Sequence, residues 1–219
     1  HGDGFLSLPA NREAVAMAID REGLLSSFGI GGWTPTNRIV PAGVENAALQ
    51  NEERWTNMSL EARRALAKAR VARWNDRGQG RVRLRIALPS GSGADRLFSR
   101  LAGDFKQIGL DAARVGAGDP ADLRLIDSVA RYPRIDWFLN QLNCASQRGL
   151  CTSDADKDAA AARNETDLAQ STKLQARAVA KLTDANVFIP FGAPMRWSLV
   201  RGDTTGFAAN QLGYHPLMP

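Results

Sequence analysis

Histidine, cysteine and long apolar runs are all scarce in this sequence, and each shortage removes a class of function. Of 219 residues only His1 and His215 are histidines, at opposite ends, so a histidine-based acid, base or metal site has nothing to assemble from. Cys144 and Cys151 are the two cysteines, and without a third or fourth ligand they argue against zinc. Their closeness suits a small disulfide-closed loop in an oxidising compartment, with two unpaired buried thiols as the alternative. No apolar run approaches the roughly 20 residues that cross a bilayer. No signal peptide is legible either, although the opening His1-Gly-Asp3 reads as if cut from something longer. A Gly-x-Ser-x-Gly elbow is missing, so an esterase has no anchor. Ser90-Gly-Ser-Gly93 could hold an anion at a helix start. It lacks the Lys-Ser/Thr of a P-loop and the third glycine of a dinucleotide fingerprint, and a plain turn accounts for it. Nothing calls for a cofactor, and there is no internal repeat.

What is present is ordinary globular composition, 44% hydrophobic and 23% charged, which argues against disorder. The formal charge of +5 is concentrated: from Glu52 to Arg85 there are ten Lys or Arg against four Asp or Glu. A basic stripe can mark a nucleic-acid face. Here only Trp55 and Trp74 interleave with it and no nucleic-acid motif accompanies it. A solvated helix face beside an arginine-lined strand is the simpler reading, with no nucleic acid as partner.

The chain is organised around Arg81 to Val115. In Arg81-Val-Arg-Leu-Arg-Ile-Ala-Leu88 the alternation places Val82, Leu84, Ile86 and Leu88 on one face of a strand and three arginines on the other. Leu97, Phe98, Leu101, Phe105 and Ile108 then fall at helical spacing. Ser92 with Asp95 resembles a capping box, and Gly109 suits the left-handed residue that ends a helix. Leu110 to Val115 predicts a returning strand, so the unit is a parallel right-handed crossover and the fold class α/β.

Ahead of this unit, Asn11 can cap a helix to Arg21. Residues 29–58 hold Gly31, Gly32, Pro35, Pro41 and Gly43 without a sustained period and predict a long ordered loop, of the kind that is usually functional or lies across another surface. Ser59 caps a helix to about Trp74, with Leu60, Leu66, Ala67, Val71 and Trp74 for packing. Beyond the unit come a strand at Asp122–Asp127, a helix around Asp136–Leu142 and alanine-rich helices from Asp154 to Leu182, the second capped by Thr166. Val187–Phe191 and Arg196–Val200 predict final strands. Asp122, Asp127 and Asp136 collect near a strand end, where carboxylates could serve acid–base chemistry in an α/β enzyme. Helix capping and ion pairing with Arg124, Arg131 or Arg134 are their more ordinary uses. Arg201-Gly-Asp203 and the Asn-x-Ser/Thr triplets at Asn57 and Asn164 are short enough to arise by chance.

Asn11-Arg-Glu-Ala-Val-Ala-Met-Ala-Ile-Asp-Arg21 resembles the R-x-A-x-x-x-A-I-D-R helix of the large extracellular solute-binding proteins of ABC importers, the peptide-, nickel- and opine-binding type. The resemblance continues in order through Gly31, Pro35 and Ile39-Val-Pro41, then Phe105-Lys-Gln-Ile-Gly-Leu-Asp111, Asp136-Trp-Phe-Leu139 and Val187-Phe-Ile-Pro190. It implies a periplasmic-binding-protein-like lobe with a mixed, mainly parallel sheet flanked by helices. Residues 1–200 would be the C-terminal lobe of a two-lobed protein and 201–219 a tail returning towards a missing N-terminal lobe. The implied function is that of a monomeric, non-enzymatic, periplasmic binding module for a small, peptide-like solute. It would deliver that solute to ABC permease subunits in the membrane, and a missing N-terminal segment could anchor it there. Ligands of such proteins lie between the lobes, which puts Trp33, Thr34, Asn37, Asp127, Arg131, Tyr132, Asp136 and Trp137 nearest the ligand. Arg131 stands where the peptide binders carry an aspartate for the ligand's ammonium group, and Ile135 stands at the usual proline.

Overall fold

The computed structural model describes residues 4–41, 44, 52–132, 134–194, 199–202 and 207. Helix α1, Pro9–Ala18, starts on a proline, whose missing N–H costs nothing at a first helical position. The predicted Asn11 cap is not used. Asn11 sits inside the helix, buried, and its Nδ2 donates to the Phe5 carbonyl at 2.9 Å. Helix α2, Arg21–Ser26, is capped instead by Asp20, whose Oδ1 accepts from the Gly23 N–H at 2.9 Å. Strand β1, Thr34–Pro35, is the one regular element described in the long loop. Helix α3, Leu60–Trp74, is capped by Ser59 as predicted. Ala67 and Val71 are buried, but Leu66 is exposed, one step round the helix from that stripe.

The predicted crossover unit is present. Strand β2, Arg83–Leu88, buries Leu84, Ile86 and Leu88 and exposes Arg83 and Arg85. Helix α4, Ser92–Gln107, buries Leu97, Leu101 and Phe105. It begins behind Gly91 with Ser92 already helical, so the predicted capping box does not form. Gly109 takes the left-handed conformation at φ 86° and turns the chain into strand β3, Asp111–Gly116. β3 pairs parallel with β2 from Arg83↔Asp111 to Leu88↔Gly116. Strand β4, Leu123–Arg124, pairs parallel on the other side, giving the order β3-β2-β4. β4 is shorter than the predicted Asp122–Asp127 because β2 ends before Pro89, which has no N–H to offer a ladder.

The remaining helices form a second layer: α5, Ile135–Gln141, α6, Ser153–Asn164, and α7, Leu168–Ala185. The cap of α7 is Asp167 rather than Thr166, its Oδ1 accepting from the Ala169 N–H at 2.8 Å. Cys144 and Cys151 are joined in a disulfide that closes the loop between α5 and α6. Val187–Phe191 is not a strand; the ladder forms just beyond it, where strand β5, Gly192–Ala193, runs antiparallel to β1. Residues 196–198 of the predicted last strand, most of the tail from 203, Gly43 and Pro133 lie outside the described residues, and Leu199–Val200 are not in a strand. No described helix is long and apolar enough to cross a membrane.

Two cores result. One joins α1, α2, α4 and β2 with Trp55 and Val71, and the other joins Ile135, Leu139, Ala159, Ala178 and Leu182. Two arginines at the ends of the α1 segment hold distant chain against it. Arg12 donates from Nε to the Ala185 carbonyl at 2.8 Å and from Nη1 to Leu6 and Ser7 at 2.8 and 2.9 Å. Arg21, 8% exposed, donates from Nη1 to Ala16 at 3.0 Å and from Nε to Thr36 and Pro190 at 3.2 and 2.9 Å. Its guanidinium lies 5.0 Å over the Trp55 ring. Burial pulls its pKa down to about 10, so it stays charged at neutral pH.

Arg21→Lys should destabilise the protein by about 2–4 kcal/mol, because one ammonium cannot reach carbonyls on three segments and leaves some of them buried and unpaired. Urea unfolding would measure this, and an unchanged midpoint would show that the carbonyls find other donors. Reducing the Cys144–Cys151 bridge should cost roughly 2–3 kcal/mol, the modest figure expected for a short closed loop. The fall in melting temperature on adding reductant reports it.

Candidate functional site

Trp33, Thr34 and Asn37 flank Thr36, whose carbonyl accepts from Arg21. Thr34 pairs with Ala193 in the β1–β5 ladder. Trp33 packs on Phe28 at 5.1 Å between ring centres. Asn37 donates from Nδ2 to Thr56 Oγ1 at 2.6 Å. Residues 33–37 of the loop are therefore tied down by Arg21, Phe28, Ala193 and Thr56.

Further along the same loop is a buried acid. Glu53, 7% exposed, has its pKa pushed up to about 7. Burial is the main cause and the neighbouring Glu13 adds to it, while Arg21 and a hydrogen bond with the Asn186 amide pull the other way and Asp184 pushes up slightly. Asn186 ends α7 in the left-handed conformation at φ 48°, and its Oδ1 is buried without a partner. Glu13, also buried, takes Arg70 at 2.6 Å and Arg54 at 3.1 Å. These arginines belong to the basic stripe, and Arg64 of the same stripe binds Asp104 at 2.5 Å and the Ala18 carbonyl at 3.0 Å. The stripe's helix is thus in part a set of inward ties, which corrects the expectation of a purely solvated face.

The second expected group runs along the segment into α5. Asp127, Arg131 and Tyr132 are exposed, and Trp137 is buried. Asp136 accepts from Gln175 Nε2 at 2.8 Å and lies 3.5 Å from Arg134. It therefore does not pair with Arg131, which makes no ion pair or hydrogen bond with the described residues. Asp122 accepts from the Arg85 side chain at 3.1 and 3.0 Å and from its N–H at 2.8 Å. The Arg85 hydrogen bonds hold its carboxyl below the usual range, which makes it a poor base. Ion pairing is what Asp122 and Asp136 do here. Among the described residues no group of three or more His, Cys, Asp or Glu could hold a metal.

Between the two cores lies a cavity of about 510 Å³. Leu88, Leu101 and Phe105 line one side, Trp137, Phe138 and Leu142 another, with residues of the disulfide loop and of the segment 186–191 completing it. Trp137 is the one of the eight expected positions that lines it. Arg21, Glu53 and Asn186 escaped the sequence reading as organisers of the site. Arg21 carried a signal, as the last residue of the quoted helix pattern, whereas Glu53 and Asn186 carried none.

No protein-family model matches the chain, and no curated protein matches it in sequence. Solved structures do. OppA of Burkholderia pseudomallei superposes with a TM-score of 0.77 at 19% identity, over 87% of this chain and 41% of that one. The Escherichia coli murein tripeptide binding protein MppA gives 0.73 at 20% identity, over 87% and 40%. OppA of Haemophilus influenzae, solved in complex with the peptide RPPGFSPFR, gives 0.72 at 17% identity, over 85% and 39%. The chain thus has the fold of periplasmic binding proteins and spans about 40% of the length of these three.

Glu53 ties the stability of this region to pH. A carboxyl that holds its proton more tightly folded than unfolded contributes stability that is complete below the ordinary value of 4.5 and is lost as the pH rises through about 7. Urea unfolding at pH 5 and pH 8 should therefore show the protein less stable at pH 8 by about 2–3 kcal/mol from this group. In Glu53→Gln that part of the difference should vanish, and an unaltered pH slope would remove Glu53 as its source.

Proposed function

We propose that this chain is the ligand-closing lobe of an extracellular solute-binding protein of an ABC importer, formed by residues 1–200, with 201–219 leading back towards a second lobe. The observation that carries this reading is the superposition on peptide-binding proteins across 87% of the chain. The order of the sequence resemblances supports it, since they follow the same elements from α1 to the β5 segment. Capture works by closure of the two lobes around the solute with no covalent step. Permease subunits are the partner, a monomer is the working state and the periplasm the place. The rival reading, an α/β enzyme using strand-end aspartates, is weakened by the hydrogen bonds that occupy Asp122 and Asp136.

Within this reading Trp33, Thr34, Asn37, Asp127, Arg131, Tyr132, Asp136 and Trp137 lie nearest the cleft, with Arg131 the most telling. An exposed guanidinium where an ammonium-accepting aspartate is the rule suits a ligand with an anionic or blocked amino end.

Calorimetry on the protein at its full natural length, with short peptides carrying free, acetylated or succinylated amino ends, tests both points. Binding of none of them would set aside the peptide-like solute. Acetylated or succinylated peptides should bind about ten- to a hundredfold more tightly than free ones. Arg131→Ala should remove that margin and Arg131→Asp should reverse it. Equal affinities in both variants would leave Arg131 outside the ligand's reach.

A further inference from the structure

We propose that Glu53 is a proton-operated latch: as a neutral acid it donates to Asn186 Oδ1 and holds the loop carrying Trp33–Asn37 against the end of α7, and on ionising it releases that loop. Two unmet needs come together here. Asn186 is 1% exposed, and its Nδ2 is already directed at the Thr183 and Asp184 carbonyls, at 2.9 and 3.4 Å. Its Oδ1 is buried and has no donor. Glu53 touches the same side chain and is a buried carboxyl that makes no ion pair with the described residues. A protonated carboxyl supplies the hydrogen that Asn186 Oδ1 lacks, whereas a carboxylate would set acceptor against acceptor.

The charges around Glu53 favour the proton. From α1 comes Glu13, a second buried acid, already held by Arg54 and Arg70, and from the end of α7 comes Asp184. Arg21 is the cation that acts on Glu53, and its Nη1 and Nε serve the Ala16, Thr36 and Pro190 carbonyls. Arg12 is likewise committed to carbonyls, among them that of Ala185, and Arg63 reaches in from α3 over the Trp55 ring. The mechanical link runs through the backbone. The Glu53 carbonyl accepts from the Thr56 N–H at 2.9 Å, and Thr56 Oγ1 holds Asn37 at 2.6 Å. Arg38 pairs with Glu52 in the neighbouring position, and the Thr36 N–H donates to the Phe191 carbonyl at 3.4 Å. Residues 33–38 and 52–56 are therefore joined side by side, and Glu53 docks the pair onto α7. An ionised Glu53 would be an anion buried beside Glu13 and Asp184. Relief comes by moving it out to water or by drawing Arg21 away from Thr36 and Pro190, and either move frees Thr34–Asn37. The consequence for solute capture rests on the solute-binding reading, but the latch itself does not.

Amide hydrogen exchange at pH 5 and pH 8, corrected for the intrinsic rate at each pH, reads the loop without any ligand. The Thr36 and Thr56 amides should lose protection about thirty- to a hundredfold between the two. At pH 8 they should exchange faster than the amides of β2 and α4, because the loop opens without the rest of the protein. Glu53→Gln is neutral at both pH values and still has an N–H to donate, so its loop should be equally protected at both. Asn186→Gly keeps the left-handed backbone and removes the acceptor, so the ratio between the two pH values should shrink. A ratio that grows in Asn186→Gly would show the asparagine serving the carboxylate through its N–H, and would overturn the assignment. So would equal protection at pH 5 and pH 8 in the unaltered protein, a ratio that survives in Glu53→Gln, or a loop that opens only together with β2 and α4. Failure of the solute-binding reading would show in the peptide calorimetry and leave these exchange rates untouched.

Discussion

Arg21 lies inside the protein with its guanidinium shared among the end of α1, the loop at Thr36 and the segment at Pro190. A buried cation is tolerable only when its donors are met, and here backbone carbonyls meet them. The consequence is geometric. Thr36 and Pro190 are brought to one side chain, and the ladder between β1 and β5 forms immediately beside them. Trp55, under both Arg21 and Arg63, closes the same knot from the segment ahead of α3. A long loop that would otherwise cost much entropy to order is thereby fixed at several points.

Arg12 repeats the device at the other end of α1, where it gathers the start of the chain and the end of α7. The alanines between the two let α3 and α4 approach α1 closely, so the helix acts as a spine for both layers. The quoted Arg-to-Arg helix pattern is in this light a packing pattern. Its two arginines and its Asp20 cap hold the scaffold together and none of the three faces a ligand by necessity.

Charge is spent inward elsewhere too. Glu13 draws in Arg54 and Arg70, Asp104 draws in Arg64, and Asp158 takes Arg177 and Lys181 between α6 and α7. A net charge of +5 consequently overstates the basic surface available to a partner. The same economy does not extend to Arg131, which is exposed on the segment ahead of α5.

The β2–α4–β3 unit was legible in the sequence because local periodicity decides which face of a strand or helix meets water, and Leu84, Ile86, Leu97 and Leu101 obey it. The disulfide was legible because the two cysteines stand only seven positions apart. Helix caps were less so: α1 and α4 begin behind Leu8 and Gly91 with no side-chain cap, and at α7 Asp167 takes the position that its neighbour Thr166 could have filled, because a helix start can shift by a residue or two at little cost. The pairing of Thr34 with Ala193, the burial of Arg21 and Glu53, and the spending of Asp122 on Arg85 were decided only by the tertiary structure. Periodicity records a residue's exposure to its own element, whereas the partner of a long cation or a carboxylate is whichever distant segment packing brings within about 3 Å of it.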